Sequence, residues 1–175
     1  VADTHGNPAQ SAMAYIEAEA PDLIVHAGDV GPGDIVGVLK ALAPTFVVRG
    51  NMDSTGTGLP DDAVIQITQQ GVRLGTWFLT HIALRGPRLM REVAERAHAH
   101  EAQLVICGHS HMPMLARDKG LVAFNPGSIG PRRFGLPLTF GILERRDGAF
   151  APRHVDGETG AVWLPPTRQG PSSGP

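Results

Sequence analysis

Apolar residues along this chain gather in short continuous runs, and each run stops at a polar residue beside a glycine. Val1-Ala2 leads into Asp3-Thr4-His5-Gly6, Leu23-Ile24-Val25-His26 into Ala27-Gly28-Asp29, and Thr45-Phe46-Val47-Val48 into Arg49-Gly50-Asn51-Met52-Asp53. Leu104-Val105-Ile106-Cys107 leads into Gly108-His109-Ser110-His111. Runs of this length bounded by glycine predict strands buried on both faces. Val1-Ala2 reads as the tail of a strand whose beginning is missing. Between the runs the spacing turns helical. Ala12, Tyr15, Ile16 and Ala20 predict a helix over about 8–20 with Asn7 as N-cap, Pro8 first and Pro21 ending it. Ile35, Val38, Leu39 and Leu42 predict a second, from 33 or 34 to 43. Three successive strand–loop–helix units predict a parallel sheet, whose functional groups collect beyond the carboxyl ends of its strands.

Past residue 60 the pattern changes. Residues 63–68 alternate, 69–71 read as a turn and 72–80 as a second strand, which predicts an antiparallel hairpin running into His81. Pro87 opens a third predicted helix over 88–100, with Leu89, Val93 and Ala97 inward and His98 and His100 solvated near its end. Further strands are expected at 114–116, 121–124, 138–143 and 149–155, with turns at 118–120 and 147–148. The segment from Asn125 to Arg133 is polar and rich in turn residues. It reads as a surface connection, or as a rim loop whose amides and arginines meet a phosphate.

Composition narrows the class. The 175 residues suit one domain, expected over 1–164, and residues 165–175, rich in Pro, Gly and Ser, read as a flexible tail. A net charge of −2 without a basic block gives no strong nucleic-acid signal. Cys107 is the one cysteine, so no internal disulfide forms, and a reducing, cytoplasmic setting is expected. No apolar run approaches membrane-spanning length. Nothing in the sequence sets the oligomeric state, and a homo-oligomer is compatible with it.

The chemistry lies in the residues that end the strands. Asp3, His5, Asp29, Asn51, His81, His109 and His111 each follow a short apolar run. A single polar turn is ordinary, since turns favour Asp, Asn and Gly. Several turns that each deliver a metal-type donor are not. In an extended segment, residues two apart point the same way, which would align Asp3 with His5 and His109 with His111. Neutral imidazole suits Zn, Fe, Mn, Ni and Cu. Seven donors are too many for one metal, but with one shared carboxylate they divide into two sites of four. Two metals roughly 3.5–4 Å apart are a usual device for hydrolysing phosphate esters. A serine hydrolase using Ser128 lacks the Gly-x-Ser-x-Gly elbow, and a nucleotide-binding protein lacks its glycine-rich fingerprints.

The ordered set Asp3-Thr4-His5-Gly6, His26-Ala27-Gly28-Asp29, Arg49-Gly50-Asn51-Met52-Asp53, Thr80-His81, Gly108-His109-Ser110-His111 and Asn125-Pro126-Gly127-Ser128 resembles the calcineurin-like metallophosphoesterases. It is most similar to their small single-domain bacterial and archaeal branch of phosphodiesterases. The resemblance implies an α/β (α+β) fold: two mixed β-sheets packed face to face with helices outside, an αββα sandwich. It implies two divalent ions per chain, Mn first, with Fe, Ni or Zn as alternatives. Asp3, His5 and His111 would hold one, Asn51, His81 and His109 the other, and Asp29 would bridge them. The implied reaction is in-line attack of a metal-bound hydroxide on phosphorus, on a small phosphate ester, a diester rather than a monoester. Asn51 and Asp53 are the expected catalytic residues, though Asp53 reads equally as a turn cap. Asn125, Gly127, Ser128 and Arg132 are the expected substrate contacts. Met52 stands where larger relatives carry a histidine acid, which favours good leaving groups. Ile82 stands where many have glycine, which would narrow the site. The alternative is a catalytically silent scaffold on the same fold, like the retromer subunit that resembles this branch.

Overall fold

The computed structural model describes residues 1–133 and 135–165, so the expected tail over 165–175 lies, apart from its first residue, outside the described residues. Helix α1 spans Gln10–Ala18, strand β1 Ile24–His26, helix α2 Ile35–Leu42 and strand β2 Thr45–Val47. Strands β3 (Asp62–Gln69) and β4 (Val72–Thr80) follow, then the two-residue strands β5 (Leu84–Arg85) and β6 (Arg88–Leu89). Helix α3 spans Arg91–Ala99 and strand β7 Leu104–Ile106. The chain continues through β8 (Met114–Asp118), β9 (Leu121–Asn125), β10 (Thr139–Arg146), β11 (Ala149–Asp156) and β12 (Val162–Trp163).

Four layers follow from which side chains each strand turns which way. A five-stranded sheet runs β3-β4-β7-β9-β8, mixed, with β4, β7 and β9 parallel. The period-2 alternation of strand side chains splits its core. Phe78, Val105 and Cys107 meet Val93, Ala94 and Ala97 of α3 on one face. Trp77, Leu79, Leu104 and Ile106 meet Ala2, Ala27 and Val48 on the other. Beyond that sit the parallel pair β1-β2 and the sheet β10-β11-β12. Their outer faces pack Ile24, Phe140 and Val155 against Ala12, Ile16 and Leu39 of α1 and α2. The expected αββα arrangement is therefore present. The parallel sheet expected from the first three units is the single β1-β2 pair. β12 had no signal in the sequence.

Local differences have plain causes. Asp34 caps α2, its carboxylate accepting the Gly37 amide at 2.9 Å. Asn7 does not cap α1: its amide closes a turn on the Thr4 carbonyl, and the helix starts two residues past Pro8. Pro87 does not open α3, because Arg88 and Leu89 pair with β5 and the Leu89 amide is held by Asp118 at 2.9 Å. No helix among the described residues is long and apolar enough to cross a membrane. A cleft of about 1070 Å³ opens between β1 and β10 over Ile65, Trp77 and Phe150. None of the seven candidate donors lines it.

Candidate metal centre

The candidate donors leave the carboxyl ends of strands at one end of the sandwich, and backbone bonds bind their loops together. The Asp3, His5 and Gly6 amides donate to the carbonyls of Gly28, Asp29 and Val30 at 3.0, 3.0 and 2.6 Å, so residues 3–6 lie zipped along 28–30. The Gly108 amide donates to the His81 carbonyl at 2.9 Å. Glycines permit this convergence. A Cβ on Gly28, whose φ is +91°, would come 2.7 Å from Nδ1 of His81, and one on Gly50 would strike Asp29.

Neither pair expected to align is extended; Asp3 and His5 still converge, whereas His109 and His111 diverge. Asp3, His5, Asp29, His109 and His111 all have left-handed backbone, with φ of 54°, 47°, 53°, 71° and 57°. The other five non-glycine residues of that kind among those described are Ala20, Gln70, Glu101, Lys119 and Asp147, at helix ends or hairpin turns. Such backbone costs energy in non-glycine residues and collects at functional sites. Here it aims the side chains. His111 turns to His5, Nε2 to Nε2 at 3.2 Å, and His109 turns away to Asn51, Nδ1 to Oδ1 at 2.8 Å.

The result is one cluster of lone pairs. Nε2 of His81 lies 3.0 Å from Oδ1 of Asn51 and 3.4 Å from Oδ1 of Asp29. His5 stands 3.9 Å from Oδ2 of Asp29, and His111 3.5 Å from Oδ1 of Asp3. Ligand-competent atoms of Asp3, His5 and His111 fall within 4.8 Å of one another, and so do those of Asp3, Asp29 and His81. The first set is one the resemblance implies. The second brings Asp3 to the His81 side as well.

Tautomers follow from the network. Nδ1 of His81 donates to the Ala27 carbonyl at 2.7 Å. Its Nε2 faces two oxygens, so in the protein alone it carries a proton that it donates to Asp29, and a cation would take that proton's place. Burial would lower the His81 pKa, but Asp29 and the Ala27 carbonyl prevail and raise it. Burial likewise pushes Asp29 up, yet the bonds from His81 and the Met52 amide outweigh it and hold the carboxyl at about 2. Burial pushes the Asp3 carboxyl up to about 7, despite the pull of His81. Burial and the neighbouring His5 bring His111 down to about 4, and burial lowers His5 and His109. Neutral His5, His109 and His111 beside one ionised carboxylate and one reluctant one form a mixed nitrogen and oxygen donor set suited to divalent first-row metals.

A brace of buried polar groups holds the donors, as metal-site ligands need. Asp53 accepts three amides, from Val30 at 3.1, Gly31 at 2.9 and Gly50 at 2.8 Å. Its carboxylate joins two loops, a placement that fits a positioning role. Asn125 donates to the Gly108 carbonyl at 2.6 Å and to Oγ of Ser110, and accepts the Gly127 amide. Ser128 donates to the Asp3 carbonyl at 2.9 Å. Residues 125–130 are buried, so that part of the segment is not a surface connection, while Pro131, Arg132 and Arg133 are exposed. Asn125, Gly127 and Ser128 have the placement of braces for the ligand loops. Their polar groups face the ligand loops, which is why so polar a segment can be buried. Arg132 is exposed and paired with Glu158 at 2.5 Å. Its neighbour Arg133 has no ion-pair partner among the described residues, and its charge bears on Asp3, His5 and His111.

One member of the brace escaped the sequence reading. Oγ1 of Thr4 donates to the Val30 carbonyl at 2.9 Å, so at 2.9 Å it accepts from Nε2 of His26, whose Nδ1 accepts the Gly28 amide. His26 is fully buried, and burial holds its pKa down at about 3. Its signal was a histidine closing an apolar run just before a ligand loop. His98 and His100 lie away from the cluster, His98 on the Lys119 carbonyl and His100 stacked on Phe78.

The family model of the calcineurin-like phosphoesterase superfamily domain matches residues 1–148. A probable metallophosphoesterase of Methanocaldococcus jannaschii is 32% identical over 107 residues, 61% of this chain and 53% of that protein. The probable metallophosphoesterase YsnB of Bacillus subtilis is 29% identical over 89% of this chain and 88% of its own. The phosphodiesterase YfcE of Escherichia coli is 30% identical over 57% of this chain and 52% of its own. The matched stretch thus spans about half the length of the archaeal and Escherichia coli relatives. Among solved structures, a predicted phosphoesterase from Streptococcus pneumoniae superposes with a TM-score of 0.67 at 22% identity, covering 93% of this chain and 90% of that one. Vps29 of Entamoeba histolytica, complexed with Zn²⁺, superposes at 0.69 and 22% identity, covering 93% of each chain. At these identities the superpositions speak for the fold alone.

Proposed function

The chain belongs to the calcineurin-like phosphoesterase superfamily, and from that premise we propose that it is a phosphodiesterase dependent on two divalent metal ions. The observation that carries the reading is the cluster of seven donors whose lone pairs face one another across 2.8–3.9 Å. Asp3, His5 and His111 would hold one ion and Asn51, His81 and His109 the other, with Asp29 between them and manganese the first candidate metal. Such a pair, when bound, supplies the Lewis acidity that activates water and offsets charge on the phosphoryl oxygens.

The chain's own residues do the rest. The Ala27 carbonyl fixes the His81 ring so that its Nε2 faces inward. Asp29 stays ionised because His81 and the Met52 amide bond to it. Arg133 brings positive charge to the side of Asp3, His5 and His111, where an anionic ester is drawn in. Met52 offers no proton to a departing alkoxide, which favours esters whose leaving group departs as a stable anion. The single buried cysteine, Cys107, fits a reducing cytoplasmic setting.

The rival reading, a silent scaffold, rests on the fold shared with Vps29. Completeness of the donor set argues for the enzyme. The test is hydrolysis of bis(4-nitrophenyl) phosphate and 4-nitrophenyl phosphate, with and without added Mn²⁺. Metal-stimulated turnover with the diester preferred is expected. No turnover of either ester by metal-loaded protein would favour the scaffold.

A further inference from the structure

Nine large apolar side chains among the described residues are exposed, and three of them directly follow candidate ligands. Met52 follows Asn51, Ile82 follows His81 and Met112 follows His111, with exposures of 65%, 38% and 45%. Apolar surface is common on soluble proteins, and a single exposed Met would mean little. Here the placement is not scattered. Asn51 lies within 3.0 Å of His81 and 2.8 Å of His109, itself two residues before His111, so the backbone at all three apolar residues adjoins the same donor cluster. This is the accessible side of the centre: Asn51, His109 and Ser110 are exposed there, while Asp3, Asp29, His81 and His111 are buried. The Met52 root is fixed, since its amide donates to Asp29 at 2.8 Å. Methionine is unbranched and adaptable, and two methionines with an isoleucine make a rim that accommodates flat or irregular apolar groups.

We propose that Met52, Ile82 and Met112 form an apolar collar that selects phosphate esters carrying an apolar or aromatic organic group. The inference rests on the phosphoesterase reading above and deepens it. The three collar side chains carry no polar group for a small hydrophilic alcohol, and they shield an aromatic ring from water. Substrates of this class place one anionic phosphoryl group at the donor cluster and their organic group against the collar.

Two diesters with the same leaving group and charge test this: 4-nitrophenyl phenyl phosphate and 4-nitrophenyl methyl phosphate, each rate divided by its uncatalysed rate. Metal-loaded protein is expected to favour the phenyl ester in kcat/KM by about tenfold, the size of effect that one small apolar contact gives in a hydrophobic site. The preference should sit mainly in KM and shrink towards unity in the triple variant Met52→Ser, Ile82→Ser, Met112→Ser. Equal kcat/KM for the two esters, or a preference that survives in the triple variant, would overturn the collar. Binding gives a readout independent of turnover. Phenylphosphonate should bind the metal-loaded protein more tightly than methylphosphonate by calorimetry, and equal affinities would again overturn the proposal. Tighter phenylphosphonate binding without hydrolysis of either ester would keep the collar and defeat the enzymatic reading instead.

Discussion

The two sides of the donor cluster are built differently. On the inner side Asp3, Asp29, His81 and His111 are buried, and Asp3, Asp29 and His81 are also bonded to backbone of neighbouring loops. On the outer side Asn51 and His109 are exposed and lead into Met52, Ser110 and Met112, also exposed. Strain, burial and hydrogen bonding are concentrated on the inner side. A reaction needs fixed geometry, and fixed geometry needs over-determination. Substrate choice needs surface that can be exchanged without disturbing it. The contrast predicts that variants on the inner side abolish function, variants in the brace weaken it, and variants of the collar redirect it.

Asp29→Asn should have the largest effect. It removes the charge shared by both sides, and kcat/KM should fall by more than about 100-fold, the range expected once loss exceeds that of an outer-shell partner. Near-normal turnover in that variant would break the contrast at its root. Asp53→Ala should act next, through the brace. It leaves three buried amides without their acceptor, a loss of about 3–5 kcal/mol in unfolding free energy and a weakened metal affinity. Thermal unfolding and metal titration read the two together. A variant with unchanged stability would show that the loops do not depend on the clamp.

A smaller effect is expected from pH, through His26. Burial depresses its pKa to about 3, from an ordinary value of 6.5. Between those values the unfolded chain binds a proton that the folded chain refuses. Stability is therefore full above about pH 6.5 and falls as pH drops towards 3. His154, buried and lowered in the same direction, adds to the trend. Urea unfolding at pH 7 and pH 5 measures the loss, and His26→Gln should flatten the dependence. An unchanged slope in that variant would remove His26 from the account. The smallest effect should come from Val72→Ser, an exposed apolar position at the start of β4, the end opposite His81. It should leave ester preference unaltered and stability within about 0.5 kcal/mol.

Much of the inner side was legible in the sequence because each donor follows a strand, and strands declare themselves as apolar runs. The layer order was expected from the family resemblance alone; the structure shows its physical basis, with Trp77 and Leu79 turned to one core and Phe78 to the other. The brace was not legible. Asn125, Ser128 and Asp53 have the composition of loops, and only tertiary contacts show that their polar groups are spent on ligand loops. The aim of the paired histidines was misjudged for a backbone reason. His109 and His111 are left-handed rather than extended, and spacing alone carries no sign of φ. The role of Pro87 was lost to a two-residue strand too short to leave a pattern.

The central claim is that the converging donors hold a pair of metals that hydrolyses a phosphate ester. Its most direct test is metal content and bis(4-nitrophenyl) phosphate hydrolysis, measured on one sample before chelation, after it, and after Mn²⁺ is restored. The account predicts about two metals per chain, the number its two donor sets imply. It also predicts activity lost with the metals and regained with Mn²⁺. Hydrolysis that persists in the fully chelated protein would contradict it.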